Sequence, residues 1–433
     1  MLPESRKLRL LTADDGALQF NALDLAEPDI RARFDWAVRQ GRPFYLWPEL
    51  PIHVWRACLF EIERTTIQIL AGAKDVALRL PPDAAARAMG IAAFTSGMGP
   101  LLGYWLETKT LKSDRETERL LALHLAHARV HAPRLKNGLV ELLRLLAPSG
   151  IPVTVIKGAA TSPVYFPDPA VRPAADIDIV LHRADVRKAA GLLADAGYRS
   201  IGPAVASKSE WIPPGIDRNP RSLELMHAES GYVFDVHDSL DRNFDGVETT
   251  RLGRIEALSV AWPELAPNAF RLQTAANAAL LALHTSHEWH RLQLIRVAEL
   301  LLVLRRDFPR DSTGWGTLIA LLERSRTERF AYPAFELVER LVPGTVHPGL
   351  RRRLAARAGP RLVRVMSTLR PGDQRFERTT LDESLIWAIG PWQVFRRFLD
   401  VAMPIRSRRT DRPIHAIYRE RLFRILRGRV GGT

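Results

Sequence analysis

Ala175-Asp176-Ile177-Asp178-Ile179-Val180 is the stretch on which the reading of this chain turns. Side chains alternate along a strand, so Asp176 and Asp178 point to one face of an otherwise apolar segment. A strand inside a sheet prefers apolar residues on both faces, and two carboxylates there need a charged partner. A hard divalent cation is such a partner, since Mg²⁺ takes oxygen ligands and paired metals need bridging carboxylates. Lys157-Gly158 upstream and Phe234-Asp235-Val236 downstream bring further groups of the same chemistry.

Working outward, Ile151 to Ile156 is an uncharged, mostly β-branched run after the turn Pro148-Ser149-Gly150, and it reads as a strand. Lys157 to Ser162 follows as a strand-to-helix junction. Asp185 to Ala196 reads as a short amphipathic helix, with an aspartate at its start and Gly197 just past its end. Ser222 to His227 and Tyr232 to His237 read as two strands of a hairpin joined by Ala228-Glu229-Ser230-Gly231. Glu116 to Leu146 has helical spacing, broken near Ala132-Pro133, and Thr274 to Arg306 reads as the longest helix of the chain. The expected fold class is α+β: a small mixed β-sheet flanked by N- and C-terminal helical regions. The corresponding divisions are residues 1–147, 148–265 and 266–433.

The 433 residues exceed one ordinary core. With 46% hydrophobic and 25% charged residues, the composition is that of a globular chain, not a disordered one. No apolar run is long enough to span a bilayer, and the N-terminal sequence does not have the form of a secretory signal. Cys58 is the sole cysteine, which excludes internal disulfides and thiolate zinc clusters. Cytoplasmic residence is the expectation. The net charge is +14, and from Val401 to Thr433 nine arginines face only Asp411 and Glu420. This basic segment suits RNA or an anionic membrane surface; from Phe395 to Arg429 arginines interleaved with Ile, Leu, Phe and Tyr fit an interfacial helix, while Tyr418 and Phe423 alone supply little base stacking.

Each candidate has a definite expected role. Gly158, at a helix start, admits close approach by a phosphate, with Lys157, Thr161 or Ser162 adding a charge or a hydroxyl. Arg172, four residues before Asp176, suits bidentate phosphate contact. Asp235 joins the first carboxylate pair if its strand is adjacent. His237 lies on the same strand face, placed to bond a phosphate or to orient an aspartate. The cluster His284, His287, Glu288 and His290 lacks the H-E-x-x-H order of zinc proteases, so it reads as a helix lending a polar side chain to the cleft.

Together these residues resemble the DNA polymerase beta-type nucleotidyltransferase superfamily, and more closely its bacterial, largely uncharacterised nucleotidyltransferase family proteins. The elements that carry the resemblance are Ile156-Lys157-Gly158, Tyr165-Phe166-Pro167-Asp168, Arg172-Pro173 and Asp176-Ile177-Asp178. Gly197-Tyr198, Asp235-Val236-His237 and Leu281-Ala282-Leu283-His284 complete the set, within roughly residues 116 to 305. Two departures stand out: Ala159-Ala160 follows Gly158 where the superfamily has Gly-Ser or Gly-Gly, and Glu299 stands where an aspartate is common. The resemblance implies transfer of a nucleoside monophosphate from an NTP to a small-molecule, peptide or protein acceptor. Mg²⁺, with Mn²⁺ as the alternative, would be held by Asp176, Asp178 and Asp235. Lys157, Gly158, Thr161, Ser162, Arg172 and His237 would contact the nucleotide. An RNA acceptor and a catalytically silent nucleotide-binding protein are the alternatives.

Overall fold

The computed structural model describes residues 27–402 apart from positions 41, 43, 44, 206, 207, 218, 246, 375–384 and 389. The basic segment therefore lies, from residue 403 on, outside the described residues.

Four helices open the described chain: α1 (Glu27–Arg39), α2 (Ile52–Leu70), α3 (Ala86–Thr95) and α4 (Gly99–Glu107). Two short strands, β1 (Val76–Ala77) and β2 (Leu111–Lys112), pair in parallel among them. Next comes α5 (Arg115–Leu146), at 32 residues the longest helix among the described residues, a place the sequence reading gave to 274–306. Asp114 caps it, its carboxylate accepting from the amides of Glu116 and Thr117 at 3.1 and 3.0 Å. Glu116 and Glu118 in the first turn complement the helix dipole. The expected break at Pro133 does not occur. Proline removes one helical hydrogen bond, but Leu125 and Ala128 before it and Leu139, Leu142 and Leu143 after it are all buried, and their packing holds both halves in line. We expect Asp114→Ala to cost about 1 kcal/mol of stability, read as a lower urea midpoint, because two first-turn amides lose their acceptor.

The central sheet has seven strands. In chain order they are β3 (Val153–Val155), β4 (Asp176–Leu181), β5 (Arg199–Val205), β6 (Lys208–Ile212), β7 (Val233–His237), β10 (Ser259–Ala261) and β11 (Ala269–Leu272). The pair β8 (Arg242–Phe244) and β9 (Glu248–Thr250) stands apart. The spatial order is β10-β11-β3-β4-β7-β6-β5, with β4 parallel to β7 and antiparallel to β3. This is the mixed sheet expected between helical regions. The partner of β7 is β6, not the Ser222 to His227 segment read as its hairpin mate. That segment has no ladder because its groups are satisfied elsewhere: Glu224 is paired with Arg87 at 2.6 Å, and the amide of Ala228 donates to His127 at 2.9 Å.

Short helices α6 (Lys157–Tyr165) and α7 (Val186–Asp195) flank the sheet, and α8 (Ile255–Leu258) precedes β10. The long helix expected at 274–306 is two: α9 (Thr274–His287) and α10 (Leu294–Asp307), joined by a 3₁₀ turn at Trp289–Arg291. Helices α11 (Gly314–Ser325), α12 (Glu328–Leu341), α13 (Pro348–Ala358) and α14 (Pro360–Thr368) follow. One apolar core joins the helices before the sheet to those after it, with Trp55, Met89, Leu283, Leu300 and Phe335 among its members. A second core lies between the sheet, α7 and the end of α5, around Leu142, Val153, Ile179, Leu193 and Phe234. Among the described residues no helix is long and apolar enough to cross a membrane.

Candidate functional site

The register of the two central strands builds the site. Asp178 on β4 lies opposite Asp235 on β7, and Val180 lies opposite His237. Alternation therefore sets Asp176, Asp178, Asp235 and His237 on one face of the sheet. On β6, Glu210 lies opposite Asp235 and Lys208 opposite His237, so two more charged residues share that face.

Ligand atoms of Asp178, Asp235 and His237 all fall within 4.8 Å of one another, the one such cluster of three metal-ligating side chains among the described residues. Asp178 is 4% exposed. It accepts from the Lys157 ammonium and pairs with His237 Nε2 at 3.0 Å. Burial alone would raise its pKa, but Lys157 and His237 reverse that and hold the carboxyl well below the usual range. Asp235 behaves oppositely. Burial pushes it up to about 6, with the Lys208 ammonium at 2.6 Å opposing and the Asp178 charge adding. Asp176 is half-buried and is raised by burial and then by Asp178. Burial lowers His237, against the pull of Asp178.

Asp235 Oδ1 is buried without a hydrogen-bond partner. A buried carboxylate oxygen left bare costs on the order of 1–3 kcal/mol, more when charged, so it marks a place for a ligand. Two carboxylates and an imidazole are a donor set that fits a divalent cation. Asp176 stands on the same face, beyond this cluster, and borders the adjoining clefts.

The helix start is organised by Arg172. Lys157 adopts a left-handed backbone with φ of 53°, sparsely populated for a non-glycine residue, at the turn from β3 into α6. A Cβ on Gly158 would lie 3.0 Å from the guanidinium carbon of Arg172, so the glycine makes room for an arginine. That guanidinium donates to Glu299 on α10 at 2.9 Å and to the Pro173 carbonyl at 2.8 Å. Glu299, 1% exposed, also accepts from the Thr161 hydroxyl. Thr161 is thereby committed to α10, and Ser162 lines another cavity, which reaches Asp176 but not Asp178 or Asp235. Gly158→Ala should cost about 1–3 kcal/mol by overpacking against a pinned guanidinium, read by chemical denaturation.

Asp176, Asp178, Lys157, Gly158 and Arg172 line a cleft of about 330 Å³, whose other wall carries His284 and Arg296. A second cleft of about 390 Å³ opens on Asp176, Asp235 and Lys208. A third, about 720 Å³ and mostly apolar, meets the first at Gly158, Arg172 and Asp176 and runs to Trp262 and Leu265. His284 is the polar side chain lent by the helix after the sheet. Its imidazole is held neutral, first by burial and then by Lys157, Arg296, Arg242 and Arg172.

Three cations of the site escaped the sequence reading: Lys208, Arg242 and Arg296. Lys208 carried no motif. Arg296 had a faint signal, since it interrupts the apolar run Leu294-Ile295-Val297-Ala298 and precedes Glu299 by one turn.

The model of a family described as uncharacterised nucleotidyltransferase matches residues 86–343, well over half the chain. The match is wider on both sides than the expected 116–305. Among solved structures, an antigenic nucleotidyltransferase-like protein from Paracoccidioides brasiliensis is 13% identical, with a TM-score of 0.28 over 46% of this chain and 93% of that one. No curated protein matches the chain.

Proposed function

Because the chain belongs to the family of uncharacterised nucleotidyltransferases, we propose that it moves a nucleoside monophosphate from an NTP to a hydroxyl of a small-molecule, peptide or protein acceptor, using Mg²⁺. One observation carries this reading: Asp178, Asp235 and His237 converge, and one buried carboxylate oxygen of Asp235 has no hydrogen-bond partner. Asp178 and Asp235 would hold the cation, with His237 as the third donor and Asp176 on the same face toward the nucleotide. When bound, the cation would offset negative charge on the triphosphate.

The residues of the chain divide the remaining work. Lys157 and Arg172 present positive charge beside the helix start, where the phosphates would lie. Asp235 borders the cleft shared with Lys208, so the acceptor would enter from that side. Its oxygen forms a bond to the α-phosphorus and loses its proton to the Asp235 carboxylate. The bond from the α-phosphorus to the bridging oxygen breaks, and that oxygen leaves with the electron pair as part of pyrophosphate.

The test is calorimetric titration of each NTP with and without Mg²⁺. Saturable binding that requires the metal, and that Asp176→Asn/Asp178→Asn abolishes, is the expected result. Equal binding by the variant would sink the assignment.

A further inference from the structure

Three side chains lining the 330 Å³ cleft keep a buried nitrogen without a hydrogen-bond partner among the described residues, at Arg172 Nε, Arg296 Nη1 and His284 Nδ1. Arg242 Nε, whose charge acts on the same His284, is likewise bare. Three of the four nitrogens belong to cations. A native core rarely leaves one such donor bare, and burying a guanidinium without a full set of acceptors is costly. Burial accordingly lowers Arg296 and Arg242 from the ordinary arginine range. Their fields, with those of Lys157 and Arg172, help to keep His284 uncharged. The cleft gathers Lys157, Arg172 and Arg296 beside the carboxylates Asp176 and Asp178, and part of the cations' hydrogen-bonding capacity is left unspent.

Arg296 is held there by construction. The amide of Ile295 donates to the Ser96 carbonyl at 3.1 Å, tying the start of α10 to the end of α3. Gly97, with φ of 72°, lies so close that a Cβ there would come within 2.5 Å of Ile295 Cγ2. One turn further along α10, Glu299 anchors Arg172. A single helix face therefore fixes two guanidinium groups, one by an ion pair and one by its backbone, and leaves the second unpaired.

At the start of α6, the space above Gly158 is filled by Arg172, and Ala159-Ala160 supplies no hydroxyl. Resting on the nucleotidyltransferase reading, we propose that Arg296, acting with Arg172, grips the β- and γ-phosphates of the incoming triphosphate and then holds the pyrophosphate as it leaves. Arginine suits this because its planar fork matches phosphate oxygens bidentately. The recognised feature is the polyphosphate chain, not the base. The leaving pyrophosphate takes the electron pair of the broken bond, and the guanidinium groups meet the charge it gains.

The probe is inorganic tripolyphosphate with Mg²⁺, titrated calorimetrically into wild type, Arg296→Gln and Arg296→Lys. We expect Arg296→Gln to bind about 10- to 100-fold more weakly, the worth of one or two charge-assisted hydrogen bonds, with Arg296→Lys in between. Nucleoside monophosphates, which lack the β- and γ-phosphates, should bind wild type and Arg296→Gln alike. The melting temperature of Arg296→Gln should hold or rise, because an unpaired buried charge has been removed. Tripolyphosphate binding equal to wild type, or a lower melting temperature with binding unchanged, overturns the clamp and leaves the transferase reading standing. Failure of wild type to bind any NTP overturns both.

Discussion

Asp178→Asn abolishes Mg²⁺-dependent NTP binding and lowers stability by about 3–5 kcal/mol, the usual cost of removing one partner from a buried ion pair. Both effects come from one place. Asp178 lies between Lys157 and His237 and beside Asp235, so its loss removes one of the proposed cation ligands and strands the Lys157 ammonium in the interior. The two effects separate in Asp178→Asn/Lys157→Met. Removing the stranded ammonium leaves no uncompensated charge in the interior, so the double variant should recover most of the lost urea midpoint. It should recover none of the nucleotide binding. Calorimetry and denaturation on the same three proteins decide the matter. If the double variant regains binding, Asp178 serves only to neutralise Lys157 and the metal assignment fails.

The second large effect is on acid stability. His124, His127 and His131 lie on one face of α5 and are buried against neighbouring segments. His127 accepts from the Ala228 amide and stacks on His227, with ring centroids 4.6 Å apart, while His131 reaches the Ala174 carbonyl at 3.2 Å. Burial pushes their pKa values down to about 4, 3 and 4. Their folded values lie below the unfolded value near 6.5, so the unfolded chain binds more protons between pH 4 and 6.5. Stability is therefore full above about pH 6.5 and is lost as the pH falls toward 4. At about 1.4 kcal/mol per pH unit, His124 alone accounts for roughly 3 kcal/mol of that loss. In the metal-free protein Asp235, raised to about 6, works in the opposite direction over much of the same window. Asp176, also raised, adds to the carboxyl side, and His237 and His284, also lowered, add to the three imidazoles, so the imidazoles dominate. Urea midpoints at pH 7, 5.5 and 4.5 should fall steadily, and less steeply in His124→Gln; a flat profile would contradict the burial argument.

The site was legible where its geometry is local. Asp176 and Asp178 share a face because strands have period two, and the apolar residues between them made the charge conspicuous. Asp235 was legible as a carboxylate in an apolar run, and the register placed it directly beside Asp178. Its strand partner was misread because Ser222 to His227 has strand-like composition while its polar groups are spent on Arg87 and His127. Tertiary satisfaction overrode local propensity. Likewise Pro133 stays inside a helix because packing on both sides outweighs one lost hydrogen bond. Lys208, Arg242 and Arg296 could not be read at all. Only the fold brings positions so far apart in sequence close enough to act on the carboxylates of one site.

The shared core of the early and late helices also sets when the protein can work. Every carboxylate of the sheet has been made once synthesis passes Asp235, yet the wall bearing His284 and Arg296 comes tens of residues later and is fastened to Ser96, near the beginning. A nascent chain, or a fragment ending after the sheet, would carry the acidic face with Lys157 and Arg172 but without His284 and Arg296. On the proposed reading it would hold a triphosphate more weakly. Full substrate capture, on that reading, waits until translation has delivered the helices that complete the cleft.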